Sequence, residues 1–436
     1  MIIYLATGIT PVAIIFLRKG ELSNMKINTV KGTNDYLPQE VILRNYLQNA
    51  ILEVYKSNGF ARIMTPVIED IENLNKSEGG DNLNLIFKIL KRGDKLDAVL
   101  ENKIPGELCD MGLRYDLTLP LSRYYANNRN KLIIPFKCIQ IDKVYRAERP
   151  QKGRLREFMQ CDIDIIGSSS RNCEIELITV TAKALLNIGL FNFYVRINDR
   201  SILNDLLIAL GFKEAELPSV CITFDKLDKI GVSGVKEELI EKGFEEQCIV
   251  GLMGVLDNLP LTLDYVKTKV TDTTKIENIE KIITSVNILS GGSFDIIFDL
   301  SLVRGQGYYT GTVFEIVSKD FKGAIAGGGR YDNLIGKFID ESVPAVGFSI
   351  GFERIFSILK DNGFKIPKCR EKIAVIYEDS EIIRASELRE ELCREYDVSL
   401  FEKPKKLGKF LDALQNEGYY GFIVYGQSFE IKPFGV

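Results

Sequence analysis

Leu43, Leu47, Ala50, Ile51 and Val54 recur at three- and four-residue intervals, which predicts an amphipathic helix closed by Gly59. Phe60 to Ile68 then reads as a strand carrying Pro66, a residue tolerated at a sheet edge or a subunit contact. Residues 132–146 and 157–167 read as two strands joined by the polar segment Glu148 to Arg156, and therefore as an antiparallel hairpin. Ala182 to Leu190 and Arg200 to Phe212 read as helices around a short strand, Phe193 to Ile197. From about 214 to 290, Leu and Ile repeat at 3.6-residue spacing in a polar background, the pattern of an inserted helical module. Strands are expected at Phe294 to Asp299, Gly311 to Val317 and Ala345 to Ile350, a glycine-rich turn at Gly327 to Gly329 before a helix near Tyr331, and a helix over Phe352 to Leu359. Residues 360–372 read as a linker, and 373–436 as a small unit in which strands and helices alternate.

Composition changes this picture mainly by exclusion. The chain of 436 residues is 45% hydrophobic with a net charge of −4, so bulk charge announces no nucleic-acid partner and phosphate contacts must come from local basic patches. Its eight cysteines form no CxxC pair, as expected of free thiols in a reducing cytosol. The chain contains no histidine, which removes imidazole as base, nucleophile partner or metal ligand. Chemistry must rest on positioning and on the charges of Arg, Lys, Asp and Glu. The apolar run Ile2 to Leu17, broken by Gly8 and Pro11, is short for a membrane span. Residues 1–25 are expected to be a leader or a mis-assigned start, with translation beginning at Met25.

The densest constellation is Val144-Tyr-Arg-Ala-Glu-Arg-Pro-Gln-Lys-Gly-Arg-Leu-Arg-Glu-Phe-Met-Gln160, with five basic side chains on one hairpin. Arg146 falls in its apolar strand, where a guanidinium needs an anionic partner, and Phe158 on the returning strand offers a flat face. Arginine beside an aromatic ring suits a nucleotide, the phosphate held by bidentate hydrogen bonds and the base by stacking.

This stretch resembles the second signature motif of class II aminoacyl-tRNA synthetases, in the form found in histidyl-tRNA synthetases. Gly112-Leu-Arg-Tyr-Asp-Leu-Thr-Leu-Pro120 resembles the family's amino-acid-binding segment. Leu302-Val-Arg-Gly-Gln-Gly-Tyr-Tyr-Thr-Gly-Thr-Val-Phe-Glu315 resembles its histidine signature, though Gln306-Gly307 stands where Leu-Asp is usual. Ala326-Gly-Gly-Gly-Arg-Tyr-Asp332 and Val346-Gly-Phe-Ser-Ile-Gly-Phe-Glu-Arg354 resemble its last block and third class motif. The resemblance implies an α+β catalytic domain over 26–359, built on an antiparallel sheet flanked by helices. It also implies a shortened anticodon-binding-like α/β domain at 373–436.

It further implies ATP and Mg²⁺, histidine, tRNA(His) and a homodimer. Arg146 would hold the α-phosphate of ATP, Arg354 the distal phosphates, and Arg154 would join them, with Phe158 stacked on adenine. Arg304 would be the catalytic arginine, while Asp116, Thr118, Gln160, Asp164, Tyr309 and Tyr331 would bind histidine. Arg149 and Gln151 would face the acceptor end of the tRNA. Two other readings share the resemblance: a non-catalytic paralogue serving as the regulatory subunit of ATP phosphoribosyltransferase, and a paralogue making histidyl-adenylate for another acceptor. Retention of Arg146, Arg304 and Arg354 favours the enzyme. A chain without histidine predicts that its synthesis persists when charged histidine tRNA is scarce. Expression that falls on histidine starvation, followed by immunoblot, would contradict this.

Overall fold

The computed structural model describes residues 27–76, 84–102, 108–150, 154–224, 226–270, 272–303, 308–321 and 323–435. The expectation for residues 1–25 lies outside them. Among the described residues the chain forms three sheets, and the largest has eight strands. Its order is β1 (Ala61–Arg62), β5 (Phe136–Tyr145), β6 (Glu157–Ile166), β11 (Ala345–Gly351), β10 (Ala324–Arg330), β9 (Thr312–Ser318), β7 (Phe193–Asp199) and β8 (Asp295–Phe298). The inner pairings are antiparallel, and β1 and β8 join the two edges in parallel. A mixed fold with a central sheet flanked by helices is thus the observed architecture.

Period-two alternation divides β6 between two environments. Cys161, Ile163 and Ile165 have no solvent exposure and join a core that also holds Leu47, Ile51 and Tyr55 of the helix Pro38–Ser57 and Leu177 and Ile178 of the helix Asn172–Asn187. Gln160, Asp162 and Asp164 point to the opposite face. One face of the sheet therefore supplies hydrophobic stabilisation, and the other is left for chemistry.

Three local expectations are corrected. The strand expected over Phe60 to Ile68 breaks after Arg62 and resumes at Ile68 in a separate sheet, β2 (Ile68–Asp70), β4 (Cys109–Leu113) and β3 (Lys88–Leu90). Pro66 has no N–H for a ladder, and the chain crosses between sheets there. The helix expected from Ala182 begins at Asn172, because burial of Cys173, Leu177, Ile178 and Val180 outweighs the low helix propensity of its β-branched residues. Gly327 to Gly329 form no turn: they lie inside β10, and the next helix starts only at Gly336.

That glycine run is a close-approach device. A Cβ on Gly328 would fall 2.0 Å from the Gly347 carbonyl oxygen, and one on Gly347 would fall 2.0 Å from Asp164 Oδ1. Only hydrogen fits at either position.

Helices between Leu217 and Ser290 pack into the same core as the large sheet. After the helix Phe352–Asp361, residues 362–371 have no regular structure, and a second unit begins at β12 (Lys372–Tyr377). Its sheet runs β13 (Asp397–Glu402), β12, β14 (Gly421–Val424) and β15 (Lys432–Pro433), with the helices Ile382–Leu392 and Leu407–Asn416 beside it. No helix among the described residues is long and apolar enough to cross a membrane, and all eight cysteines are unpaired.

Because Asp164 occupies the space a Gly347 side chain would need, Gly347→Ala should destabilise the protein by about 1–3 kcal/mol in urea unfolding. A substitution that leaves the midpoint unchanged would show that the two strands separate freely there.

Candidate functional site

A cavity of about 460 Å³ opens over the polar face of β6. Asp116, Thr118, Gln160, Asp164, Tyr309, Tyr331, Arg146, Arg154, Phe158 and Arg354 all line it, although they come from segments up to 238 residues apart (354 − 116). Arg149 is exposed and outside this lining. Arg304 and Gln151, as well as Gln306 and Gly307, lie outside the described residues.

One end of the cavity is cationic. Arg146 follows directly on β5 and is half-buried; its Nε donates to the Tyr115 carbonyl oxygen at 3.0 Å. Its guanidinium lies 5.0 Å from the centre of the Phe158 ring, so the two strands of the hairpin present charge and aromatic face together. Arg154 is exposed and pairs loosely with Glu148, at 3.4 Å. Arg354, in the first turn of the helix Phe352–Asp361, donates to the Ala324 carbonyl oxygen at the start of β10. Its neighbour Glu353 is held harder. It accepts both Nη atoms of Arg44 (2.6 and 2.8 Å), the Met159 N–H at 3.1 Å and the Tyr36 hydroxyl at 3.2 Å. This bidentate pair ties the first helix, β6 and the last helix of the sheet domain into one frame.

The other end is anionic and deeply buried. Asp116 (3% exposed) stands at the entry to the helix Thr118–Asn128 and accepts the Leu119 N–H at 3.2 Å. Arg114, two residues earlier, has no solvent exposure; it donates to the Thr65 and Lys143 carbonyl oxygens and pairs with Asp142 at 2.8 Å. It therefore ties the Asp116 segment to β5. Asp164 (4% exposed) accepts the Tyr331 hydroxyl at 2.7 Å. Tyr331 is packed edge-on against Tyr308 (6.2 Å between centroids), and Tyr308 likewise against Tyr309 (5.0 Å). Arg330, beside Tyr331, is held by both carboxylate oxygens of the buried Glu174 at 2.8 Å.

Burial dominates the ionisation of this end. It pushes Asp164 up to about 7, against the Tyr331 hydroxyl that favours the carboxylate and with the added repulsion of Asp116. Burial likewise pushes Asp116 up to about 6, offset in part by the Leu119 N–H and by Arg146. Asp162 is raised well above the carboxylate range by burial and then by the charge of Asp164. The end as a whole is short of positive charge. A ligand carrying donors or a cation at one end and phosphates and a flat ring at the other would complement both halves.

Sequence reasoning missed several lining residues, among them Asp162, Tyr308, Ser349 and Glu353. Only Asp162 had a signal, its place between Gln160 and Asp164 in a period-two strand. Ser349 is brought in by the pairing of β11 with β6, which one segment alone does not reveal, while Tyr308 and Glu353 adjoin Tyr309 and Arg354.

The family model for histidyl-tRNA synthetase matches residues 32–355. The chain is 44% identical over 349 residues to a histidine–tRNA ligase of Leifsonia xyli, covering 77% of this chain and 80% of that one. It is 38% identical over 346 residues to a histidine–tRNA ligase of Cytophaga hutchinsonii, covering 76% of each. Among solved structures, histidyl-tRNA synthetase from Nostoc sp. PCC 7120 superposes with a TM-score of 0.74 at 28% identity over 92% of each chain. An ATP phosphoribosyltransferase regulatory subunit/histidyl-tRNA synthetase from Bacillus halodurans also reaches 0.74, at 22% identity over 92% of this chain and 98% of that one, a likeness of fold alone.

The Tyr331 hydroxyl stabilises the Asp164 carboxylate, so Tyr331→Phe should raise the Asp164 pKa above its value of about 7. Carboxyl-carbon NMR titration of the two proteins checks this; a downward shift would mean that the phenol does not donate to Asp164.

Proposed function

This chain belongs to the histidyl-tRNA synthetase family, and on that premise we propose that it activates histidine with ATP and transfers it to tRNA(His). The observation that carries the proposal is that one cavity gathers both kinds of side chain. Arg146, Arg154, Arg354 and Phe158 line it together with Asp116, Asp164, Tyr309 and Tyr331. The first group fits a nucleoside triphosphate, and the second fits a small molecule rich in N–H donors.

In the proposed first step a carboxylate oxygen of histidine attacks the α-phosphorus, a phosphorus–oxygen bond forms in line, and pyrophosphate leaves. Two anions must approach, so the main task of the protein is to place positive charge at the reacting phosphate. Arg146, anchored through Nε to the Tyr115 carbonyl, keeps its Nη atoms for the α-phosphate. Arg354 serves the distal phosphates from the other side. Arg304 is proposed as the catalytic arginine on the strength of its signature segment. No protein group need carry a proton in this step, which suits a chain without histidine. In the second step the terminal ribose hydroxyl of the tRNA attacks the acyl carbon and AMP leaves; Arg149 and Gln151 are proposed to face that end.

At the anionic end the Asp164–Tyr331 pair is proposed to read the imidazole. A carboxylate accepts from one ring nitrogen, and a ring that lacks the donor leaves a buried acceptor unpaired. Thr118, at the helix entry, and Tyr309 close the pocket around it. Mg²⁺ binds through substrate phosphates and one or two carboxylates. Among the described residues no cluster of three or more candidate ligands forms a cage, while Glu148 lines the cavity near the basic side chains. That donor set fits an ion carried in on the nucleotide; when bound it neutralises the pyrophosphate leaving group. Homodimerisation is proposed from the family, and the exposed Met64, Ile68, Ile133 and Ile134 offer apolar side chains for a subunit contact.

The deciding measurement is ATP–pyrophosphate exchange with the full chain. Exchange that needs histidine and is not supported by other amino acids is expected, followed by charging of tRNA(His). Binding of histidine without exchange would instead favour a non-catalytic paralogue.

A further inference from the structure

Two polar side chains of β7, and the residue that follows the strand, hold both flanks of the segment that carries Arg304. Val195 and Ile197 of β7 belong to the hydrophobic core, so alternation puts Arg196 and Asn198 on the other face. Strand register carries that face across the sheet: Asn198 pairs with Val313, Val313 with Gly329, Gly329 with Gly347 and Gly347 with Asp164. Residues paired in this way share a face, which places Asn198 on the side of the sheet that bears the cavity. Asn198 is fully buried, yet it does not line the cavity itself.

The paired register of β7 and β8 ends with Ile197 against Phe298, and the Asp299 N–H adds one last bond to the Ile197 carbonyl oxygen. Beyond that point side chains continue the grip. Asn198 Nδ2 donates to the Leu300 and Leu302 carbonyl oxygens, each at 3.1 Å, which uses both of its hydrogens. Arg196 adds bonds to Ser301 Oγ at 2.8 Å and to the Asp299 carboxylate at 2.6 Å. The downstream flank is tied by Arg200. Its N–H donates to the Gly311 carbonyl oxygen at 3.2 Å, and its guanidinium to that of Tyr309 at 3.0 Å. Arg304 lies between these two ties in the sequence, so both flanks of its segment are fastened to the end of one strand.

Packing does not account for an asparagine at this place. Asn is disfavoured in strands, and Asn198 Oδ1 is buried with no hydrogen-bond partner among the described residues. An apolar side chain of the same size would fill the space without a dry polar atom. What the amide alone does is hold two carbonyl groups of one segment at once. We propose that Asn198 is a positioning residue for the adenylation step: it fixes the upstream flank of the Arg304 segment to β7, so that the Arg304 guanidinium meets the reacting phosphate. This rests on the proposed function and deepens it. Arg304 makes the contact with the phosphate, and Asn198, which touches neither substrate, decides where that contact falls. Reaction rate is sensitive to such placement, since a displacement of about 1 Å can cost about a hundredfold.

The test uses the full-length protein and Asn198→Leu, which keeps the volume and removes both donors. Single-turnover formation of histidyl-adenylate, followed by rapid quench, should slow by about tenfold to a hundredfold. Histidine and ATP affinities measured by calorimetry should stay within about threefold of the wild type, because the loss falls on the transition state alone. A residue that acts only through Arg304 adds little once Arg304 is itself impaired. In an Arg304→Lys background, Asn198→Leu should therefore slow the reaction by less than about a further threefold. Losses that multiply in the double variant, or affinities that fall as far as the rate, would make Asn198 a merely structural residue. An unchanged rate would remove it from the reaction, and each of these results overturns the proposal. If Asn198→Leu does not fold, Asn198→Ser, too short to hold both carbonyl groups, is read in the same way. A wild type that forms no histidyl-adenylate refutes the underlying function, an outcome distinct from failure of Asn198 alone.

Discussion

The site depends on two strands that run side by side without side chains between them and their neighbours. Gly347 on β11 leaves the space that the Asp164 carboxylate fills, and Gly328 on β10 leaves the space that the Gly347 carbonyl fills. A methyl group at either place would meet an oxygen at 2.0 Å, well inside contact distance. Gly329 repeats the arrangement beneath Tyr309 and the Thr312 carbonyl, at 2.9 and 2.8 Å. These absences let three strands close up while their upper face stays open. The cavity is thus a consequence of what β10 and β11 lack.

Opening that face has an electrostatic cost. Asp116, Asp162 and Asp164 stand within one buried wall; burial holds all three above the usual carboxylate range, and the charges of neighbouring carboxylates add to it at Asp162 and Asp164. Arg146, bonded to the Tyr115 carbonyl beside Asp116, offsets Asp116 and Asp162. The stability that tolerates this comes from the other side of the same strands, where Cys161, Ile163 and Ile165 pack under two helices. Core and site are back to back on β6, so the hydrophobic face stabilises a sheet whose polar face is destabilising until a ligand arrives.

Three arginines that touch no substrate in this reading keep the two ends aligned. Arg44 clamps Glu353, next to Arg354; Arg330 clamps Glu174, next to Tyr331; Arg114 bonds two carbonyl oxygens beside Asp116. Each is a charged or charge-assisted contact between segments far apart in the chain, and each is buried enough that water competes weakly. Side chains that face the cavity are therefore one residue away, or nearly so, from an anchored neighbour.

How much of this was legible beforehand follows from the range of the signal. Local periodicity reported the first helix, the hairpin of β5 and β6, the helices after residue 214 and the alternating C-terminal unit, because each buries its own stripe. It failed where context overrode propensity: Gly327 to Gly329 read as a turn and are strand, and the helix at Asn172 was begun ten residues late. The small sheet of β2, β3 and β4 left no clear pattern in its three- to five-residue strands. By itself the sequence determined which residues of β6 share a face, which basic side chains crowd the hairpin, and that no side chain of this protein supplies an imidazole. Only the tertiary structure decided that Asp116 arrives beside β6 from the segment that follows β4, that Gln160 donates to Ser349, and that one oxygen of Asp162 has no hydrogen-bond partner among the described residues. Those facts depend on the pairing of segments tens to hundreds of residues apart, and on atoms too close to admit a side chain, which no local window of sequence encodes.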